Sequence, residues 1–325
     1  MPRENLMQRI ALSIGLTLAC AAHPVAAEEP PFPHKGNIEL TVLFPAGSSA
    51  DVTARLLAEG MAKRLGTNVL VIDRPGAGGA IGYKYVAAQK PDGYSLVWNS
   101  NSISTTYHAG QLSFDYRAFD PVARALIESP ILVVRADAKW KTLEMLIADA
   151  KSRPGAISVG NSGFGSHTHI VSVALFNATG TRVIDVPYGA SQVVPSLIGG
   201  HVDAVVQLPG ALAGQLRNGS LRAIAAMTRE REPVLPDVPT AREQGIDVSL
   251  DAWRGVAAPH GTPKEAVEVL ENAIRQTVES TEFRIAAEHL SVRPAFMPAE
   301  QFGALIASED KELAALMKVI GLNKQ

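Results

Sequence analysis

Two stretches of small and hydroxyl-bearing residues sit where a polypeptide backbone can bind an anion. The first, Phe44-Pro45-Ala46-Gly47-Ser48-Ser49-Ala50-Asp51, ends an apolar run and opens a helical pattern. At such a junction the first helical N–H groups have no intrahelical acceptor, and the helix dipole adds partial positive charge. Small residues let an anion approach those donors, and Ser48 and Ser49 add hydroxyls. Asp51 would repel a carboxylate, so its expected task is to stabilise the helix start or organise water. The second stretch, Gly160-Asn161-Ser162-Gly163-Phe164-Gly165-Ser166-His167-Thr168-His169, repeats the arrangement, with Ser166 or Thr168 in the first helical turn. Two such junctions could hold one carboxylate between them, with Phe164 over an apolar part of the guest. The plainer reading of each, taken alone, is a capped strand-to-helix turn.

Enzyme chemistry fits these residues poorly. Gly163-Phe164-Gly165-Ser166-His167 lacks the Gly-x-Ser-x-Gly of a nucleophile elbow. Ser166 and a histidine could act as nucleophile and base, which keeps an exported serine hydrolase as an alternative, but no residue stands out as the orienting acid. His167 and His169 are two apart, so they point different ways, and further ligands for a metal are missing. The glycines of Arg74-Pro75-Gly76-Ala77-Gly78-Gly79-Ala80-Ile81-Gly82 have Gly-x-Gly-x-x-x-Gly spacing and follow the second strand rather than the first. That is not a dinucleotide fingerprint; a turn shaping the domain surface or cleft rim is expected. No catalytic residue, cofactor or metal is assigned.

The elements that must position these loops alternate along the chain. Strand patterns at Ile38–Phe44, Val69–Ile72, Tyr94–Asn99, Ile131–Val134, Ile157–Gly160, Val183–Val186, Val202–Val206, Leu221–Ala226 and Trp253–Ala257 are separated by helical ones. The clearest helix runs from about Asp51 to Leu65, with Val52, Leu56, Leu57, Met61 and Leu65 on one face and Gly66 at its end. Others are expected at Ile81–Gln89, Thr142–Lys151, Ser166–Phe176, Val193–Ile198, Lys264–Glu279 and Ala299–Val319. Strands joined by helices of this length predict α/β architecture with parallel sheets covered on both faces. So many strands exceed one comfortable sheet, which predicts two α/β domains. The absence of a Pro-, Gly- or Ser-rich linker suggests that the chain crosses between them by extended strands, as at a hinge.

Composition narrows the partners. The 325 residues are 46% apolar with a formal charge of −2, enough for a packed core and without the electrostatic footprint of a nucleic-acid binder. Arg3 and Arg9 flank a polar start, an apolar run follows from Ile10 to Ala22, and Pro24-Val25-Ala26-Ala27 precedes Glu28. This is the pattern of a secretory signal peptide over residues 1–27. The run is too short to span roughly 30 Å of hydrocarbon, so a soluble periplasmic protein is expected. The single cysteine, Cys20, lies within that signal. Thr17-Leu18-Ala19-Cys20 departs from a lipoprotein box at Thr17, so a free protein is preferred to a lipid-anchored one.

Taken in order, these motifs resemble the Bug family, the substrate-binding proteins of tripartite tricarboxylate transporters. The likeness runs through Pro45–Arg55, Arg74–Gly79, Pro91-Asp92-Gly93-Tyr94, Gly163–His169, Val186-Pro187-Tyr188, Gly199-Gly200-His201-Val202-Asp203, Leu235–Thr240 and Ala258–Pro263. It implies a bilobed, type II-like periplasmic-binding-protein fold, with domain 1 formed by 37–125 plus 250–325 and domain 2 by 126–249. It further implies a small carboxylate ligand (a di- or tricarboxylate, an aromatic acid or a similar solute), the membrane components of the transporter as partners, and a monomer. A ligand-loaded partner of a sensor kinase is the alternative role. By position the resemblance nominates Ala46, Gly47, Ser48, Ser49 and Asp51, then Gly163, Phe164, Gly165, Ser166, His167, Thr168 and His169. Asn99 and Ser100, at a strand end, are further candidates whose other role is capping; Tyr188 falls in a shared motif. Ser48 stands where a second glycine is common, Gly189 where a basic residue is common, and Gln207 where Asp is common. The last two face the cleft in relatives, so they bear on which acid is bound.

Overall fold

The computed structural model describes residues 32–324; the expected signal segment, with Cys20, lies outside them. Among the described residues, eleven strands form two sheets. The first has the order β11-β4-β10-β3-β1-β2, from β1 (Ile38–Val42), β2 (Val69–Asp73), β3 (Ser95–Ser100), β4 (Phe119–Glu128), β10 (Ala252–Pro259) and β11 (Arg293–Pro298). The second has the order β7-β6-β8-β5-β9, from β5 (Ile131–Arg135), β6 (Ser158–Asn161), β7 (Ile184–Pro187), β8 (Ala204–Gln207) and β9 (Leu221–Ala226).

Each sheet is the spine of one lobe, covered by helices. Leu40 and Val42 of β1 and Trp98 of β3 pack with Leu57 and Met61 of α1 (Ser49–Leu65) in the first lobe. In the second, β5 buries both faces: Leu132 and Val134 meet one cluster, Ile131 and Val133 the other. This is why its sequence reads as an unbroken apolar run rather than an alternating one. Among the described residues no helix is long and apolar enough to cross a membrane.

The sheets are mixed, not parallel as the alternating pattern predicted. β1, β2 and β3 are parallel, as are β6, β7 and β8. But β10 runs antiparallel to β3 and β4, and β5 antiparallel to β8 and β9. The cause lies in how the chain changes lobes. It leaves the first sheet at the end of β4, crosses through Ser129-Pro130 and enters the second as β5; β10 returns it. A strand that enters a lobe from the cleft side must run away from the cleft, against strands whose carboxyl ends point at it. Among the elements that go beyond the expected set are β4, β11 and the short helices α3 (Ser102–His108) and α7 (Ala213–Arg217).

Candidate functional site

The loop after β1 turns into α1 through Gly47, whose φ of +78° lies in the left-handed region that glycine tolerates. Ser48 caps the helix, its hydroxyl accepting from the Asp51 N–H at 3.3 Å. Asp51 is buried and accepts from the Gly47 N–H at 2.8 Å, while Arg55 pairs with it at 2.6 Å. Its charge is therefore spent within the turn, away from an incoming anion.

The loop after β6 is built on the same plan. Ser166 caps α5 (His167–Ala178) by accepting from the His169 N–H at 3.3 Å. Thr168 Oγ1 accepts from the Ser162 N–H at 3.0 Å. His169 Nδ1 accepts from the Gly165 N–H at 3.2 Å, and its Nε2 faces Asp185 at 3.3 Å. His169 thus braces the glycine turn from behind.

In each helix the cap leaves two donors over. The N–H groups of Ser49 and Ala50, and of His167 and Thr168, have no hydrogen-bond partner among the described residues. All four residues line one cavity between the lobes. Ser102, the first residue of α3, and Ala190, the first of α6 (Ala190–Ile198), line it too. Four helix starts therefore converge on one space, each adding partial positive charge. The space lies beyond the carboxyl ends of β1, β3, β6 and β8, where open α/β sheets bind ligands.

Of the nominated residues, Ser48, Ser49, Ser100, Ser166, His167, Thr168 and Gln207 meet at this cavity. Gln207 holds the second loop, its Nε2 donating to Ser162 Oγ at 3.1 Å. The others fall outside it. Ala46, Gly47, Asp51, Gly163, Gly165 and His169 shape the two turns. Asn99 accepts from Tyr83 Oη at 2.8 Å and lines a separate cavity with Phe119 and Asp120. Tyr188 packs over Gly160 and faces another depression with His201. Phe164 is not over the guest space: its ring lies 5.0 Å from that of His169 and 5.5 Å from Lys324 Nζ. Phe44 supplies the apolar aromatic wall instead.

His167 is 5% exposed, and burial pushes its pKa down to about 4. In the neutral ring Nε2–H donates to the Leu250 carbonyl at 3.0 Å, which leaves Nδ1 buried and without a partner. It can accept from a hydroxyl or a water but cannot donate to an anion. Ser166 Oγ, 3.2 Å from Thr168 Oγ1, is engaged in capping, His167 uses Nε2 on the Leu250 carbonyl and His169 uses Nδ1 on the Gly165 N–H. Among the described residues no hydrogen bond joins the Ser166 hydroxyl to a histidine ring.

Among the wall residues missed from sequence are Ser102, Ser162, Ala252 and Arg254. Among the described residues that line the wall, Arg254 alone carries a full charge. Nothing local signals it, because its partner Glu128 is 126 positions away.

Two α/β lobes sharing a cleft at their strand ends define the periplasmic-binding-protein class of fold. Within that class the chain belongs to the family described as the tripartite tricarboxylate transporter family receptor (TctC), matched over residues 53–322. It is 31% identical to BugT of Bordetella pertussis over 97% of this chain and 98% of that protein. Among solved structures it resembles an R. palustris protein with adipate (26% identity, TM-score 0.85, 90% of this chain and 99% of that one). It also resembles MatC from Rhodopseudomonas palustris with bound malate (27% identity, TM-score 0.80, 87% and 99%). The family and fold expected from the motifs are therefore those found.

Proposed function

We propose that this protein is a non-catalytic periplasmic receptor that takes a small carboxylate into the cleft and presents it to the membrane components of a tripartite tricarboxylate transporter. It acts as a monomer. The observation that carries this reading is the set of four unpartnered N–H groups, two from each lobe, facing one cavity. An oxyanion accepting from them satisfies donors that burial would otherwise leave unpaired. Adipate and malate in similar proteins are small dicarboxylic acids, in keeping with such a site. Ser48, Ser49, Ser100, Ser166, Thr168 and Gln207 line the guest; Ala46, Gly47, Asp51, Gly163, Gly165 and His169 hold the turns. In this reading the lobes hinge at the crossings, Ser129-Pro130 and the segment leading into β10, a few residues from the expected boundaries at 125/126 and 249/250. Binding is then a shift between open and closed forms.

A thermal-shift screen of di- and tricarboxylates, aromatic acids and amino acids tests the reading. An acid present at 100 times its Kd stabilises by about 2.7 kcal/mol, enough to move Tm by several degrees. A Kd in the micromolar range, about −8 kcal/mol, is expected. If no carboxylate moves the midpoint, the reading fails.

A further inference from the structure

Alternation along β10 sends Ala252 and Arg254 to one face, and both line the cavity. Arg254 is 3% exposed, and Glu128, at the end of β4, is wholly buried. Nε of Arg254 donates to Glu128 Oε2 at 2.9 Å, and Ser49 Oγ donates to Oε1 of the same carboxylate. Gly210 closes over this chain of bonds: a Cβ there would lie 2.5 Å from Ser49 Oγ. A guanidinium carries five N–H donors in a planar fork. Only Nε is used; the two ω-nitrogens make no hydrogen bond among the described residues. A buried ion pair gives no dependable gain in stability over apolar packing. This one is better explained by what its free edge can hold.

We propose that Arg254 is a specificity-determining residue of the cleft: its ω-nitrogens receive a second anionic group of the solute while the helix starts hold the first, so the site selects diacids over monoacids. The inference rests on the carboxylate reading and adds the solute class to it. Glu128 aims the fork and balances its charge, so that the unliganded cleft does not hold a lone buried cation. Ser49 joins the two stations, since its N–H faces the first anionic group and its hydroxyl fixes Glu128. A monoacid leaves the ω N–H groups buried and unpaired when the lobes close, and a site built for hydrogen bonds rejects an analogue that lacks the partner. A carboxylate accepts from both nitrogens of the fork at once.

Calorimetric titration with the straight-chain diacids from malonate to adipate, each beside the monoacid of equal length, tests this. The wild-type protein is expected to bind the best diacid at least about 10-fold more tightly than its matched monoacid. In the Arg254→Gln/Glu128→Gln double variant, which keeps the pair uncharged and similar in volume, that ratio is expected to fall by about 10-fold or more. A wild-type ratio near one overturns the inference without needing any variant to fold. An unchanged ratio in the double variant does the same, and leaves the carboxylate reading standing. No binding of either kind of acid by the wild type overturns both.

Discussion

Glu309 accepts from Trp253 Nε1 at 2.6 Å and from Asn101 Nδ2 at 2.8 Å, Asn101 being the residue that precedes α3. It lines a cavity of about 720 Å3 with Asp251, Glu312 and Arg229. Burial raises its pKa to about 7 against the tryptophan bond and Arg124, helped by Glu312 and Asp251; burial also raises Asp251 to about 6. A carboxyl whose folded pKa exceeds its unfolded one disfavours the folded state when ionised. The penalty is absent below about pH 4, grows as pH rises, and is complete above about pH 7. Glu309→Gln is thus expected to stabilise the protein at pH 8 by on the order of 2 kcal/mol and to have little effect at pH 4. Thermal melts of both proteins at the two pH values check this, and an equal difference at both would contradict it. His167 works in the opposite sense: its lowered pKa favours folding above about 6.5, and that contribution is lost as pH falls toward 4. Neither acid was legible in the sequence, because its environment comes from segments far apart in the chain.

The helix starts were the most legible elements. Small residues, a serine cap and a following apolar face define α1 and α5 locally: α1 starts two residues before the expected Asp51, with Ser48 as its cap, and Ser166, one of the two residues expected in the first turn, caps α5. The glycine turn after β2 was expected to shape the domain surface or the cleft rim, but its partner was not legible. Gly78, at φ +63°, sits against the second lobe, where a Cβ would lie 2.9 Å from the Phe164 carbonyl. Gln111 Nε2 donates to that carbonyl at 3.2 Å, so the rim and the second loop meet directly. In Gly78→Ala the added methyl presses on backbone, which resists displacement more than a side chain does. Beyond about 1–2 kcal/mol of local strain from the left-handed backbone, the substitution is expected to oppose lobe approach and raise Kd by about 10-fold. Titration of the best acid into both proteins measures it; an unchanged Kd would show that the rim contact is irrelevant to closure. Strand direction was misread because an antiparallel strand between two long loops carries the same local pattern as a parallel one. β4 was missed for a related reason. Its buried positions, Phe119, Val122, Ala123, Ala125 and Leu126, are interrupted by Pro121 and a register shift, so they match neither a period of two nor a continuous run.

Across the whole molecule, each lobe presents strand ends and helix starts to the other, and the chain passes between them near Glu128 and Arg254. The pair lies where a hinge movement and a bound anion would both be felt. Met317 at the end of α10 (Ala299–Val319) packs with Ala109 and Ile170, tying the C-terminal helix to α5. Fold and family could be read because the motifs are short, local stretches that follow one another in order along the chain. The identity of the guest could not, because it depends on side chains such as Arg254 that only the folded chain brings to the wall.

The most direct test is a crystal structure grown with the acid that gives the largest thermal shift. One carboxylate is expected between the lobes, its oxygens about 3 Å from the N–H groups of Ser49 or Ala50 and of His167 or Thr168. A guest seated elsewhere, with both turns open to solvent, would contradict the account.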